Sequence, residues 1–270
     1  MRISLLIRLS LLASIAFFIF SCGKKTEEFQ SEPLSNYLPL VVGKYITYRL
    51  DSTVYTNFGH NTETHKYQVK HVIDAQITDN LGRPGYRVFR YIRDSVNAQS
   101  WTPVQPWTPN GSYFITPLSD RIELVEDNLR FIKLHLPIRE GYSWNGNKYL
   151  PDHPYSNFNL SIDYFMADWD FVLGTVSNDM IGQTIVNDVL PVSYDIFEAS
   201  QNMNDNHPVV DTSYAYNSFG LEKYAKNIGL VYREYILWEH QNNPSGNYPN
   251  ITYNPYNIGF GIKMWMIEHN

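Results

Sequence analysis

The sequence contains a single cysteine, Cys22, and no apolar run of the roughly 20 residues that a membrane-spanning helix needs. One cysteine excludes a disulfide within the chain and excludes metal sites built from several thiolates. Basic residues are also few, because 21 lysines and arginines stand against 27 aspartates and glutamates. Since phosphate binding requires a concentrated basic surface, we expect no nucleic-acid partner.

The sequence also lacks the common motifs of metal and nucleophilic catalysis. Of its eight histidines, His65 and His71 share one face of a predicted strand but would stand about 20 Å apart, too far to hold one ion. The stretch 141–146 has the spacing GxSxxG, one residue longer than the hydrolase elbow GxSxG. The stretch 202–206 begins like a calcium loop, but His207 takes the place of the required glycine. We therefore expect no metal and no cofactor, and we favour a non-enzymatic protein while leaving enzymatic activity open.

The N-terminus has the organisation of a bacterial export signal. Arg2 and Arg8 accompany an apolar run of about 12 residues that ends at Phe20, a length typical of a signal-peptide core. The segment Ile19-Phe20-Ser21-Cys22 resembles the lipobox of bacterial lipoproteins, in which a small residue precedes the acceptor cysteine. This resemblance implies cleavage before Cys22, acylation of its thiol and anchoring in a membrane through lipid. Because Gly23, and not an aspartate, follows Cys22, the resemblance also favours the outer membrane, at the periplasmic face or the cell surface.

Composition and patterning divide the chain into three parts. Residues 1–21 are the predicted lipoprotein signal peptide, and residues 22–36 are the lipidated cysteine with a polar, flexible tether. Residues 37–270 are the predicted single β-rich domain, because 21 tyrosines and an aromatic share of 15% favour pleated, half-buried surfaces. The predicted fold is mainly β, with a large curved antiparallel sheet, half-barrel or sandwich-like, and few short helices.

Alternation of apolar and polar residues locates the predicted strands. The clearest hairpin spans 121–136, where Asp127-Asn128 suits the left-handed backbone of a tight turn. In 258–268 both faces carry large apolar side chains, so a helix or a second layer of sheet is expected to cover Trp265. The remaining predicted strands lie within 44–57, 65–77, 86–93, 171–177, 184–197 and 230–240.

Three stretches carry a family resemblance. Residues 39–48 (PLVVGKYITY), 137–144 (PIREGYSW) and 224–232 (YAKNIGLVY) resemble segments of uncharacterised Bacteroidota outer-membrane lipoproteins. Such proteins are similar, more distantly, to the curved half-barrel of the lipoprotein carriers LolA and LolB. The resemblance implies a concave sheet face that holds an apolar ligand such as an acyl chain, although fold analogy alone transfers no function.

Two further functional hypotheses remain beside that one. Trp101, Trp107, Asp168 and Asp170 are candidate ligand-binding residues of a carbohydrate-binding or carbohydrate-active protein, because tryptophans stack on sugars and paired carboxylates serve glycosidases. The alternative for these residues is structural, with tryptophans that cap the core and a polar edge around Trp169. The other hypothesis is an accessory subunit that binds an envelope protein. The leading prediction is a lipid-anchored, non-enzymatic binding or assembly protein, whose partners are a membrane and an envelope protein or glycan.

Overall fold

A computed structural model of the protein describes residues 31–95, 106–194 and 210–270, and these residues form one compact unit that begins at Ser31. Most of them lie in antiparallel strands, which confirms the predicted fold class. The strands are β1 (Tyr45–Thr56), β2 (Asn61–Thr78), β3 (Pro84–Asp94), β4 (Thr108–Pro117), β5 (Arg121–Glu126), β6 (Leu129–His135), β7 (Ser143–Asn145), β8 (Asp170–Leu173), β9 (Ser177–Ile181), β10 (Thr184–Tyr194), β11 (Ala215–Ala225), β12 (Gly229–Gln241), β13 (Pro244–Ser245), β14 (Thr252–Tyr253) and β15 (Tyr256–His269). The helices are short 3₁₀ turns at Leu34–Asn36, Asn57–Gly59, Ser156–Phe158 and Ile162–Asp168.

One 13-stranded sheet contains all of these strands except β13 and β14, which pair with each other. Its order is β6-β5-β4-β3-β2-β1-β15-β12-β11-β10-β8-β7, and β9 pairs with β10 beside this path. Each of the first six strands therefore pairs with the strand that precedes or follows it along the chain, whereas β15, at the C-terminus, lies between β1 and β12.

The two ends of the sheet meet, so that it curls into a nearly closed barrel instead of a sandwich. On edge strand β6, the backbone N–H of Ile132 donates to the carbonyl of Gly146, which follows β7, at 2.7 Å. The indole N–H of Trp144 on β7 donates to the carbonyl of Ile132 at 2.9 Å. These bonds use backbone groups that an open edge would leave unpaired.

The strands agree with the alternation in the sequence except at several register shifts, of which one in β2 changes a predicted face. At the β5–β6 turn, Asp127 and Asn128 have φ values of 50° and 63°, as the predicted tight turn requires. The register of β2 shifts between Ile73 and Ala75, so Ile73 pairs with Val88 while Ala75 pairs with Arg87. This bulge moves Ala75 to the opposite face from Ile73, although simple alternation places both on one face.

The hairpin of β9 and β10 lies over the outer face of β15 and covers Trp265. At its turn, Gly182 has a φ of 62°, and a Cβ atom there would lie 2.6 Å from Cδ1 of Trp265. Only glycine therefore allows this close approach. The predicted cover for Trp265 is thus a second layer of sheet, folded back from a neighbouring part of the same chain.

Residues 146–169, between β7 and β8, form a segment that packs across the inner face of the sheet; we term it the cover segment. Its Leu160 and Met166 are buried. The carboxylate of Glu239, on β12, accepts hydrogen bonds from the backbone of Ser161 and, at 2.8 Å, of Ile162. These bonds fix the cover segment to the sheet.

The N-terminal end of the unit packs against the sheet before the first strand begins. Leu34, within the stretch 22–36 that the sequence predicts as a tether, is buried. The carbonyl of Asn36 accepts a hydrogen bond from the backbone N–H of Asn227 at 2.7 Å. The compact unit thus begins six residues earlier than the sequence boundary at residue 37. Within the described ranges, no helix is long and apolar enough to cross a membrane.

Candidate functional site

The inner face of the sheet and the cover segment enclose a cavity of about 520 Å³. This volume falls within the range of sites that bind small molecules. The side chains that line it come from ten strands of the large sheet, from the β5–β6 turn and from the cover segment, so residues far apart in sequence converge there.

One wall of the cavity is apolar. Leu50 on β1 and Ile262 and Met264 on β15 line this wall. The cover segment adds Phe158, whose ring centroid lies 5.0 Å from that of Phe260. Aromatic and aliphatic side chains in a concave surface supply the contact area that binds apolar ligands.

Beside this apolar wall lies a buried ionic cluster of Lys133, Glu222 and Arg233, of which Lys133 and Arg233 line the cavity. The Nζ of Lys133 and the Nε of Arg233 donate to the same Oε1 of Glu222, at 2.9 and 2.8 Å. The hydroxyl of Tyr224 donates to the other carboxylate oxygen at 2.6 Å. The Glu222 side chain is 0% exposed, so these partners replace the water that a carboxylate would otherwise bind.

A second carboxylate continues this network toward the cavity mouth. Arg90 donates from Nη1 to Glu126, and Nη1 of Arg233 lies 3.7 Å from Oε2 of the same carboxylate. Arg90 also reaches Asp127 at 3.5 Å, but the Asp127 side chain is 73% exposed, so water screens this charge. A side chain at Gly111 would crowd the Arg90 guanidinium, with a Cβ atom 3.1 Å from Nη2.

Burial and neighbouring charge act strongly on the acids and bases of this wall. Burial favours a neutral Glu222, yet the positive charges of Lys133 and Arg233 prevail and lower its pKa to about 2. Burial lowers the pKa of Lys133, and the Glu222 carboxylate opposes that change. Burial lowers the pKa of His71 to about 3, and the charges of Arg233 and Arg90 act in the same direction. His71 is therefore neutral at pH 7, whereas Glu222 is charged.

The largely buried groups of this wall have more positive than negative charge. Lys133, Arg233 and Arg90 are three cations, while Glu222 and Glu126 are two carboxylates, and the third carboxylate, that of Asp127, is 73% exposed. Serine, threonine and cysteine are absent from the described residues that line it. Among residues 31–95, 106–194 and 210–270, no group of three or more histidine, cysteine, aspartate or glutamate side chains is arranged to hold a metal ion. The arrangement can bind a molecule with an apolar part and a polar part.

The predicted binding residues lie elsewhere. Trp107, just before β4, is partly buried and lies under the guanidinium of Arg93, 4.0 Å from the ring centroid. Asp168 and Asp170 are exposed and flank Trp169, which is buried. None of these residues lines the cavity.

Two of the predicted functional residues, Trp101 and Cys22, lie outside the described residues. Carbohydrate binding through Trp101 and Trp107 with the two aspartates stays a prediction, and so does lipidation of Cys22. Sequence reasoning missed the ionic cluster. A partial signal for it is present, because Lys133 interrupts an apolar run, whereas Glu222 is followed directly by Lys223 and has no such pattern around it.

Together, the strand order and the cavity define a class of protein: a nearly closed antiparallel sheet with a ligand-sized, partly charged interior. No family model matches the chain, and no curated protein matches it. Among solved structures, the chain is similar to a domain from Vibrio parahaemolyticus whose assignment to an outer membrane lipoprotein-sorting protein is itself inferred. The two share 9% identity over 85% of each chain with a TM-score of 0.20, too low a likeness to support an argument.

Proposed function

We propose that this protein is a lipid-anchored envelope protein that binds an apolar or amphipathic small molecule inside its curved sheet. The cavity of about 520 Å³ beneath the cover segment supports this proposal, because a sheet filled by its own side chains would leave no such space. The lipobox-like segment that ends at Cys22 supports the anchored location, which we place at the outer membrane.

The composition of the cavity favours such a ligand over a fully polar one. Transfer of each methylene group from water into apolar surroundings contributes roughly 0.8 kcal/mol. The wall formed by Leu50, Ile262 and Met264, together with the aromatic rings of Phe158 and Phe260, offers those surroundings. A non-enzymatic carrier or binding role needs only this surface and an opening.

Ligand binding is tested by filling the cavity. We expect the full chain to enhance the fluorescence of a neutral naphthylamine dye, and we expect Ile262→Trp to weaken that binding about tenfold or more, because the larger ring occupies the apolar wall. Ile185→Trp is the matched control, since Ile185 is 68% exposed on the outer hairpin. Equal dye binding by both variants would place the dye outside the cavity.

Anchoring is tested at the predicted acceptor residue. We expect Cys22→Ser to abolish acylation and to release the protein from envelope membranes in a high-salt wash, because one thiol is the only attachment point in the sequence. Mass spectrometry of the N-terminal peptide and fractionation of the envelope measure the two effects. Ser21→Ala is the control, since a small residue before the cysteine preserves the lipobox pattern. An unmodified Cys22 in the native protein would contradict the proposed anchor.

A further inference from the structure

We infer that the cavity is selective for amphiphiles with an anionic head group, which Arg233 and Arg90 hold while the tail lies along β15. This inference rests on the proposed function, because it names the ligand class of the same cavity. Carboxylates and phosphates share the required chemistry, since both accept charge-assisted hydrogen bonds from guanidinium groups.

The first argument is the unequal charge of the buried wall. Lys133, Arg233 and Arg90 face two largely buried carboxylates, Glu222 and Glu126. The third carboxylate at the cavity, Asp127, is 73% exposed, so water screens its charge. In surroundings of low dielectric constant an unmatched cation is costly, and an entering anion would balance it. A cationic head group would instead add to the excess of positive charge.

The second argument is the unused hydrogen-bonding capacity of the two arginines. Among the described residues, Arg233 makes one hydrogen bond, from Nε to Glu222, so its two terminal nitrogens retain donors beside the cavity. Arg90 donates to Glu126 and weakly to Asp127, and its buried Nε has no hydrogen-bond partner among the described residues. A guanidinium has five N–H donors, so both side chains can accept a further anion.

The third argument is the direction in which the apolar wall extends from these charges. Arg233 pairs with Met264 across β12 and β15, and the next pairs that face the same way are Tyr235 with Ile262 and Leu237 with Phe260. Each step of two residues advances about 7 Å along a strand. Ile262 and Phe260 therefore lie about 7 and 13 Å beyond the level of Arg233, which suits an extended alkyl tail beneath the cover segment.

The lowered pKa of His71 agrees with a positive potential on this wall. Burial is its main cause, but Arg233 and Arg90 both oppose protonation of the imidazole. The Nδ1 of His71 lies 3.1 Å from the hydroxyl of Tyr113, which occupies one ring nitrogen of the neutral form. His71 therefore adds no charge to the cavity at pH 7 and leaves the arginines as the groups that face an anion.

The test uses the full chain with Cys22→Ser, so that no attached acyl chain competes for the cavity. Decanoate, decyl phosphate, decanol and decylamine are titrated against the bound neutral naphthylamine dye at pH 7.5. We expect the two anions to compete about tenfold or more strongly than decanol, with decylamine the weakest. The two anionic arms separate a carboxylate from a phosphate head group, and preference for either one supports the inference.

The variants assign the preference to the cavity. Arg90→Gln is expected to reduce the ratio of anion to alcohol affinity about fivefold or more, because it removes one guanidinium from the head-group site while the cluster around Glu222 remains intact. Arg87→Gln is the matched control on the same strand, where Arg87 pairs with Asp74 on the other face. Arg233→Gln should act like Arg90→Gln where circular dichroism shows that it folds.

Three results would overturn the inference. Equal competition by decanoate and decanol, within twofold, would reject anion selectivity and leave the proposed function standing. Equal loss in Arg87→Gln and Arg90→Gln would attribute the preference to general surface charge. If the dye binds but none of the four amphiphiles displaces it, the inference fails, and if the dye itself does not bind, the proposed function fails as well.

Discussion

Replacement of Glu222 by glutamine is expected to lower the free energy of unfolding by about 3 to 5 kcal/mol at pH 7, because it leaves two buried cations without their shared anion. Lys133 and Arg233 both donate to Oε1 of Glu222, which is fully buried. Glutamine is close in size to glutamate, so the loss reflects charge and not a new cavity. Urea unfolding followed by tryptophan fluorescence measures the effect.

The control for this substitution is Tyr224→Phe, which removes one hydrogen bond to Glu222 and leaves every charge in place. Its expected cost is about 1 kcal/mol. Equal stability of the Glu222→Gln variant and the native protein would show that Glu222 does not compensate the two cations.

Acid titration gives the same substitution an independent readout. The pKa of Glu222 falls from its ordinary 4.5 to about 2, so its contribution to stability is complete above pH 4.5 and is lost as the pH falls toward 2. The pKa of His71 falls from 6.5 to about 3, so the unfolded chain takes up a proton there first, and stability also declines from pH 6.5 downward. We expect Glu222→Gln to retain the upper part of this decline and to lose the part that Glu222 contributes.

A second large effect is expected at Phe171, where Phe171→Ala should lower the free energy of unfolding by about 3 to 5 kcal/mol. Phe171 on β8 is 0% exposed, and its ring stacks on Tyr194 with centroids 4.2 Å apart. It also lies against Gly146, where a Cβ atom would come within 2.4 Å of the ring. Removal of the ring therefore leaves a cavity where the cover segment begins, beside the join between the two sheet edges.

Phe58→Ala is the matched control, because the Phe58 side chain is 93% exposed and should lose less than about 0.5 kcal/mol. Both variants delete the same atoms from the unfolded chain, so their difference isolates packing in the native state. A loss shared equally by the two variants would rule out Phe171 as a core residue and would indicate an effect on the unfolded state.

The alternation of apolar and polar residues predicted those strands in which the alternation is regular. It missed the strands in which a buried charged residue or a turn-forming residue interrupts the alternation. β11 was not predicted from the sequence because Gly220 and Glu222 break its apolar pattern, yet Glu222 is buried by its ion pairs. β4 begins with Pro109, Asn110 and Gly111, which are typical of turns. In both strands, tertiary partners satisfy residues that the local sequence marks as exposed or irregular.

The candidate site could not be predicted from the sequence because its parts are remote along the chain. Lys133 and Glu222 are 89 positions apart, and they meet only because the sheet curls until β6 faces β11. No periodicity within one strand encodes that closure, which depends on hydrogen bonds between the two ends of the sheet. Residue type alone made Trp107, Asp168 and Asp170 candidates for binding, but tertiary packing places them away from the cavity.

By itself, the sequence determined the β class of this protein and most of its strands, because the alternation of side chains is a property of neighbouring residues. The predictions of an export signal and of lipidation at Cys22 likewise rest on linear order alone, because the apolar run and the lipobox-like segment are contiguous in the chain. Only the tertiary structure decided the position of β15 between β1 and β12, the cavity and the charged wall. These features arise from pairing between distant strands, whose register is set by packing of the whole sheet and not by any one segment.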